Sequence, residues 1–233
     1  MNRRTGIYAA LLLTGAFLLP GCSNPKYAHY ASIWGDWRAD VPWGWRVVTE
    51  GDAGRFTNTD FIGPFDPNFL MGAPSLSVRW HGYNQAHRLP DGQLEIYESV
   101  DDYVKQVLRD VYQPHAKMID DVKDLPADTL LDGRSGKHFV VTSPVRVPGD
   151  LKWGTVLDAD SGKPYNVREH AYVLVPMKRG FYVLIYPATK DDNGKEGYPV
   201  YEALFNQLVH SFQALKDGPD GPPAPSAPYK LHP

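Results

Sequence analysis

Cysteine is nearly absent: Cys22 stands alone in 233 residues. No disulfide can close within the chain, so the core must hold by packing, and no thiolate cage for a metal can be assembled. A strong charge of one sign is lacking too. Lys and Arg number 24 against 27 Asp and Glu, a net charge of −3, two units more negative without Arg3 and Arg4. That balance argues against nucleic acid and against electrostatic capture by anionic headgroups, both of which call for clustered basic residues. There is no G-x-S-x-G elbow for a serine nucleophile. The stretch Gly133-Arg134-Ser135-Gly136-Lys137 has the wrong spacing for a phosphate loop, and a strand rather than a helix is expected after it. No repeat and no metal-loop template fits: in the acidic stretch from Asp158 through Asp160 to Glu169, Gly162 and Lys163 occupy positions where a calcium loop needs a ligand and a glycine. An acidic turn is the expectation there.

What is present starts at the N-terminus. Arg3 and Arg4 precede an apolar run, Ile7 to Leu19, followed by Leu19-Pro20-Gly21-Cys22. The run falls short of the roughly 20 residues that cross a bilayer, as a secretory leader does. Its tail resembles the bacterial lipobox, with Leu19, Gly21 and Cys22 matching and Pro20 less usual. The resemblance implies that residues 1–21 are cleaved and that the Cys22 thiol carries lipid, palmitate included. Ser23 in place of Asp resembles the signal for outer-membrane delivery in a Gram-negative cell. Lipidation also engages the only thiol, which removes a cysteine nucleophile. The localisation expected is extracytoplasmic, in the periplasm, anchored to a membrane.

A hydrophobic content of 42% and an aromatic content of 12% suffice for one domain. Residues 22–40, with Tyr27, Tyr30, Trp34 and Trp37, read as a lipidated N-terminus and aromatic tether that packs as a strap over the domain. The domain is expected over 41–216, and the Pro/Gly-rich residues 217–233 as a disordered tail. Val41–Val48 reads as the entry to a first strand, and 52–73 as an irregular loop or short hairpin extension. Ser75–Trp80 alternates as a half-buried strand does, and Pro90-Asp91-Gly92 marks a turn. Ser99 caps a helix whose apolar face runs through Val100, Tyr103, Val104, Val107, Leu108 and Val111, ending at Pro114. His138–Thr142 reads as a strand, and Asp160–Lys163 as a turn. Ala171–Val175 and Phe181–Tyr186 form an apolar hairpin covered on both faces. Pro199 opens a last helix with Tyr201, Leu204, Phe205, Leu208, Val209 and Phe212 on one stripe.

The chemistry-bearing residues are few. His81 and His87 beside Trp80 and Tyr83 are weak metal candidates, with Asp91 and His138 as the nearest further ligands; structural histidines are the simpler reading. Trp34, Trp37, Arg79, His81, Tyr83 and Arg88 are candidates for a binding face, because exposed aromatics and Arg are enriched at interfaces. For Trp45 and Trp80 a place in the core is the simpler reading.

Val41-Pro42-Trp43-Gly44-Trp45, a central helix, the hairpin Tyr172–Tyr186 and a closing helix with Phe205, Leu208, Val209, Ser211 and Phe212 resemble the PsbP-like superfamily over most of residues 41–215. The resemblance implies an α+β fold, an antiparallel β-sheet packed between helices (a PsbP-like α/β/α sandwich). It implies a binding or assembly role and carries over no functional residue. The expectation is thus a membrane-anchored lipoprotein that is not an enzyme and needs no cofactor. It would act as a binding or assembly module with an envelope protein partner. The alternative is a small-ligand or metal-binding lipoprotein using the 80–91 segment.

Overall fold

The structure, a computed structural model, describes residues 26–66, 73–88, 92–107, 123–125, 136–144, 167–190 and 199–221. These hold the strands β1 (Tyr27–Ala31), β2 (Trp37–Pro42), β3 (Arg46–Asp52), β4 (Phe56–Ile62), β5 (Ser75–Gly82), β6 (His87–Arg88) and β7 (Leu94–Glu95). Helix α1 (Val100–Gln106) follows, then β8 (Lys123–Leu125), β9 (Gly136–Pro144), β10 (Val167–Pro176) and β11 (Gly180–Lys190). Helix α2 (Pro199–Ser211) and β12 (Gln213–Ala214) come last.

Seven strands make one antiparallel sheet in the order β3-β4-β5-β11-β10-β9-β8. The expected apolar hairpin lies inside it: Ala171 pairs with Tyr186 and Pro176 with Phe181, and the Met177 N–H donates to the Gly180 carbonyl across the turn at 2.9 Å. Alternate residues of a strand point to opposite faces. Phe181, Val183 and Ile185 therefore join one core, with Tyr97, Val100, Tyr103, Val104, Phe139, Tyr172 and Leu174. Tyr182, Leu184 and Tyr186 join the other. Both faces are covered, which is why the run is almost wholly apolar.

The second core holds Phe61, Leu76, Val78, Trp80, Val173 and Val175 from the sheet, and Leu204, Phe205, Leu208 and Val209 from α2. The hairpin β1–β2 supplies Tyr30, Trp37, Ala39 and Val41 to the same core. It runs in register from Tyr27 opposite Pro42 to Ala31 opposite Arg38, and β12 extends it into a second sheet. In Trp37-Arg38-Ala39-Asp40-Val41 the odd positions are buried and the even ones face outward, the period of a half-buried strand. Trp37 is 1% exposed and contacts the rings of Tyr30, Phe61 and Phe212.

This overturns the expected sheet packed between helices. The described residues are strand-rich, with three antiparallel sheets and two short helices. One face of the large sheet is closed by a second sheet as well as by α2, so the chain is not an α/β/α sandwich. The physical reason is the aromatic segment expected as a tether: its alternation builds it into the fold as β1 and β2. Residues 56–62, expected within an irregular stretch, form a strand paired on both sides. Their polar residues pair in part: the Asn58 amide donates to Asp60 at 2.9 Å and to Glu50 at 3.3 Å, and the Ser77 hydroxyl donates to Asp60 at 2.5 Å, while the buried Asn58 Oδ1 has no partner among the described residues.

Ser99 caps α1 as expected, accepting from the Asp102 N–H at 3.1 Å. The start of the Pro/Gly-rich tail is held. Arg179 donates to the Asp217 carbonyl at 2.8 Å and to the Asp220 carboxylate at 2.7 Å, and the Lys178 N–H donates to the Asp217 side chain at 2.6 Å. The leader with Cys22 lies outside the described residues. So do residues 67–72, Pro90-Asp91, the end of the first helical stripe to Pro114, Gly133 to Ser135, Asp158, the Asp160–Lys163 turn and residues 222–233.

Candidate functional site

The structure separates the residues expected to share a binding face. Trp34, in the turn of the β1–β2 hairpin, and Trp37, the first residue of β2, are buried, at 5% and 1% exposure. Arg79 and His81 lie on β5, where Leu76, Val78 and Trp80 alternate with them into the α2-side core, so the two project from the opposite face. Arg88 is exposed and donates to the Gly92 carbonyl at 3.3 Å. Tyr83 is half-buried at the rim of the α1-side core, and burial together with the Asp217 carboxylate raises its hydroxyl pKa.

His81 is a core residue. Its ring is ringed by Phe56, Tyr97, Tyr103 and Phe181 at centroid distances of 5.1–5.4 Å, nearly parallel to Phe181. Burial, then the positive charges of Arg79 and His87, hold its pKa well below the usual histidine value. His87 lies flat on Phe56, centroids 3.7 Å apart, so one phenyl ring contacts both histidines. Among the described residues no three His, Cys, Asp or Glu side chains gather as a metal ion would require.

The better-formed site lies elsewhere, where the outward face of β1–β2 meets the end of α2. A depression of about 490 Å³ is lined by His29, Tyr30, Ala31, Arg38, Ala39, Asp40, Ser211 and Gln213. Register sets His29 opposite Asp40 and Ala31 opposite Arg38, and Arg38 faces Gln213 of β12. His29 Nδ1 donates to Asp40 Oδ1 at 2.5 Å, and the Gln207 amide donates to Asp40 Oδ2 at 2.9 Å. Both carboxylate oxygens are thereby occupied, and the His29 ring is fixed with Nε2 turned away from that bond. Its side chain is 97% exposed. The Arg38 Nε donates to Gln213 Oε1 at 2.6 Å. That bond orients the guanidinium fork while its terminal nitrogens hold no bond among the described residues.

A serine, a histidine and an aspartate meet here, but their bonds are not those of a nucleophilic triad. The Ser211 hydroxyl accepts from the Asp40 N–H at 2.8 Å and donates to the Gln207 carbonyl at 2.7 Å. Its proton goes to the helix backbone, whereas an activated serine gives it to the histidine. A preset Arg fork and an exposed imidazole are groups whose chemistry suits a carboxylate or phosphate.

Sequence reasoning missed this site. Its outward positions, Arg38 and Asp40, were legible from the alternation of β2. That a strand near residue 40 would meet Ser211 and Gln213 depends on pairings some 171 residues apart, which no local pattern encodes.

The fold defines a class no finer than an antiparallel β-sheet protein with two short helices among its described residues. No family model matches the chain, and no curated protein matches it. A solved structure from Bacteroides thetaiotaomicron is similar at 9% identity over 83% of this chain and 50% of the other, with a TM-score of 0.40. The chain thus spans half the length of that protein, and a likeness at this level carries no argument about fold or function.

Proposed function

We propose that this chain is a non-enzymatic binding or assembly module, held at a membrane by lipid on Cys22 and facing an extracytoplasmic compartment. The depression between β1–β2 and α2 would take an anionic group of its ligand or protein partner. The observation that carries the reading is Arg38: a guanidinium oriented through its Nε by Gln213, with its terminal nitrogens open at a depression shared with His29. A hydrogen bond between charged groups contributes about 1.5–3 kcal/mol, so loss of Arg38 should weaken binding by roughly tenfold or more. Lipobox residues Leu19, Gly21 and Cys22 support the anchor.

Calorimetric titration with inorganic phosphate, acetate and an acidic peptide tests the site. Binding of at least one probe by the wild type, and at least about tenfold weaker binding by Arg38→Ala, is the expected result. Equal binding by both proteins, or turnover of substrates by the wild type, would overturn the proposal.

A further inference from the structure

We infer that one end of the domain lies flat on the bilayer, with Phe65 entering the lipid and Tyr27, Trp43, Lys26 and Arg46 at headgroup level. The inference rests on the anchor at Cys22 and adds an orientation and a contact surface to it.

Tether length is the first ground. Lys26, the first described residue, is four residues beyond Cys22. Even fully extended, four residues reach only about 14 Å. An acylated Cys22 sits at the membrane surface, so this end of the domain cannot leave it. What the end presents is the second ground. The Trp43 N–H donates to the Lys26 carbonyl at 3.1 Å, and Tyr27 pairs with Pro42, which places Trp43 beside the tether. Gly44, Arg46 and Phe65 then line one shallow depression of about 600 Å³ immediately next along the chain. Phe65 is 77% exposed, more than any other large hydrophobic side chain among the described residues.

The chemistry of this end matches that of a bilayer interface. Trp and Tyr favour the headgroup level, Lys and Arg stretch apolar stems below a charged tip, and Phe prefers the hydrocarbon boundary. An exposed phenyl ring in water is a cost that lipid removes. A short tether also keeps the surface at high effective concentration, so weak docking suffices.

The test uses the full-length protein purified from membranes and placed in phosphatidylcholine vesicles. Phe65→Cys and Leu215→Cys each add one thiol to a chain whose only cysteine is the proposed lipid site, and each receives a nitroxide. Leu215 is 49% exposed and its N–H donates to the Asp36 carbonyl at the opposite end of the hairpin. Both sites are exposed, so folding survives the change. The ratio of oxygen to nickel-chelate accessibility should be several-fold higher at 65 than at 215. Intact mass on the same samples reports acylation. An acylated chain with equal ratios overturns the docking and leaves the anchor standing; an unacylated chain overturns both. Protection at 65 that also appears in detergent and grows with protein concentration marks contact between copies and overturns the lipid contact.

Discussion

His81 shows how a single residue reads differently in the chain and in the fold. In the sequence it sits beside another histidine and two aromatics, the company of a ligand. In the structure a different set of aromatics, Phe56, Tyr97, Tyr103 and Phe181, encloses it, its Nε2 has no hydrogen-bond partner among the described residues, and α1 contributes the Tyr103 ring that helps close the box. The groups around it are Arg79, His87 and the Tyr97 and Tyr103 hydroxyls, whose own pKa values burial raises. The consequence is a pH dependence. Native His81 has its pKa below the ordinary 6.5 of the unfolded chain. Above that value neither state takes the proton, and the stability is fully present. As the pH falls below it, the unfolded chain binds a proton that the native chain refuses, so stability is lost. For one proton the slope is at most about 1.4 kcal/mol per pH unit. His87, lowered mainly by partial burial, acts in the same direction. His81→Phe should flatten the loss between neutral and mildly acidic pH. Urea unfolding of both proteins across that range measures it, and an unchanged slope would place the titrating group elsewhere.

At the scale of elements, the legible ones carried their signals locally. The hairpin β10–β11 is two apolar runs around a short turn, α1 has its hydroxyl cap and apolar face, and α2 its stripe behind Pro199. Strand β4 did not show itself because its polar residues Asn58 and Asp60 find partners only in the fold: the Asn58 amide N–H groups donate to Glu50 and Asp60, and Asp60 accepts from Ser77. A buried polar row reads as a loop until its partners are known. The β1–β2 hairpin is legible in its period, although its aromatic content points to a strap. Its turn is tied to the C-terminal segment at Asp36, whose carbonyl accepts from the Leu215 and Lys216 N–H groups. The Asp36 carboxylate, fully buried, accepts from the Tyr182 hydroxyl at 2.7 Å. That segment then crosses Trp80 at Gly218, where φ is +96° and a Cβ would come within 2.3 Å of the indole. Gly218→Ala therefore combines backbone strain with overpacking and should cost about 1–3 kcal/mol. Gly54→Ala, at φ +89° with nothing near its Cβ, isolates the strain. Chemical denaturation should show the larger loss at Gly218; equal losses would mean that contact with Trp80 does not matter.

At the scale of the whole molecule, the proposed anchor and the described domain constrain each other. A domain whose first strand starts five residues after Cys22 has no slack for a long tether, so the residues read as spacer serve the fold. The candidate depression begins two residues further on, at His29, and would face its partner close to the membrane. No helix among the described residues is long and apolar enough to cross a bilayer. The central claim of the account is the proposed lipid on Cys22. Metabolic labelling with palmitate, comparing the wild type with Cys22→Ser, tests that claim most directly. The account predicts label in the wild-type chain, no label in the variant, and release of the variant from the membrane fraction. Equal labelling of the two chains, or none in either, would contradict it.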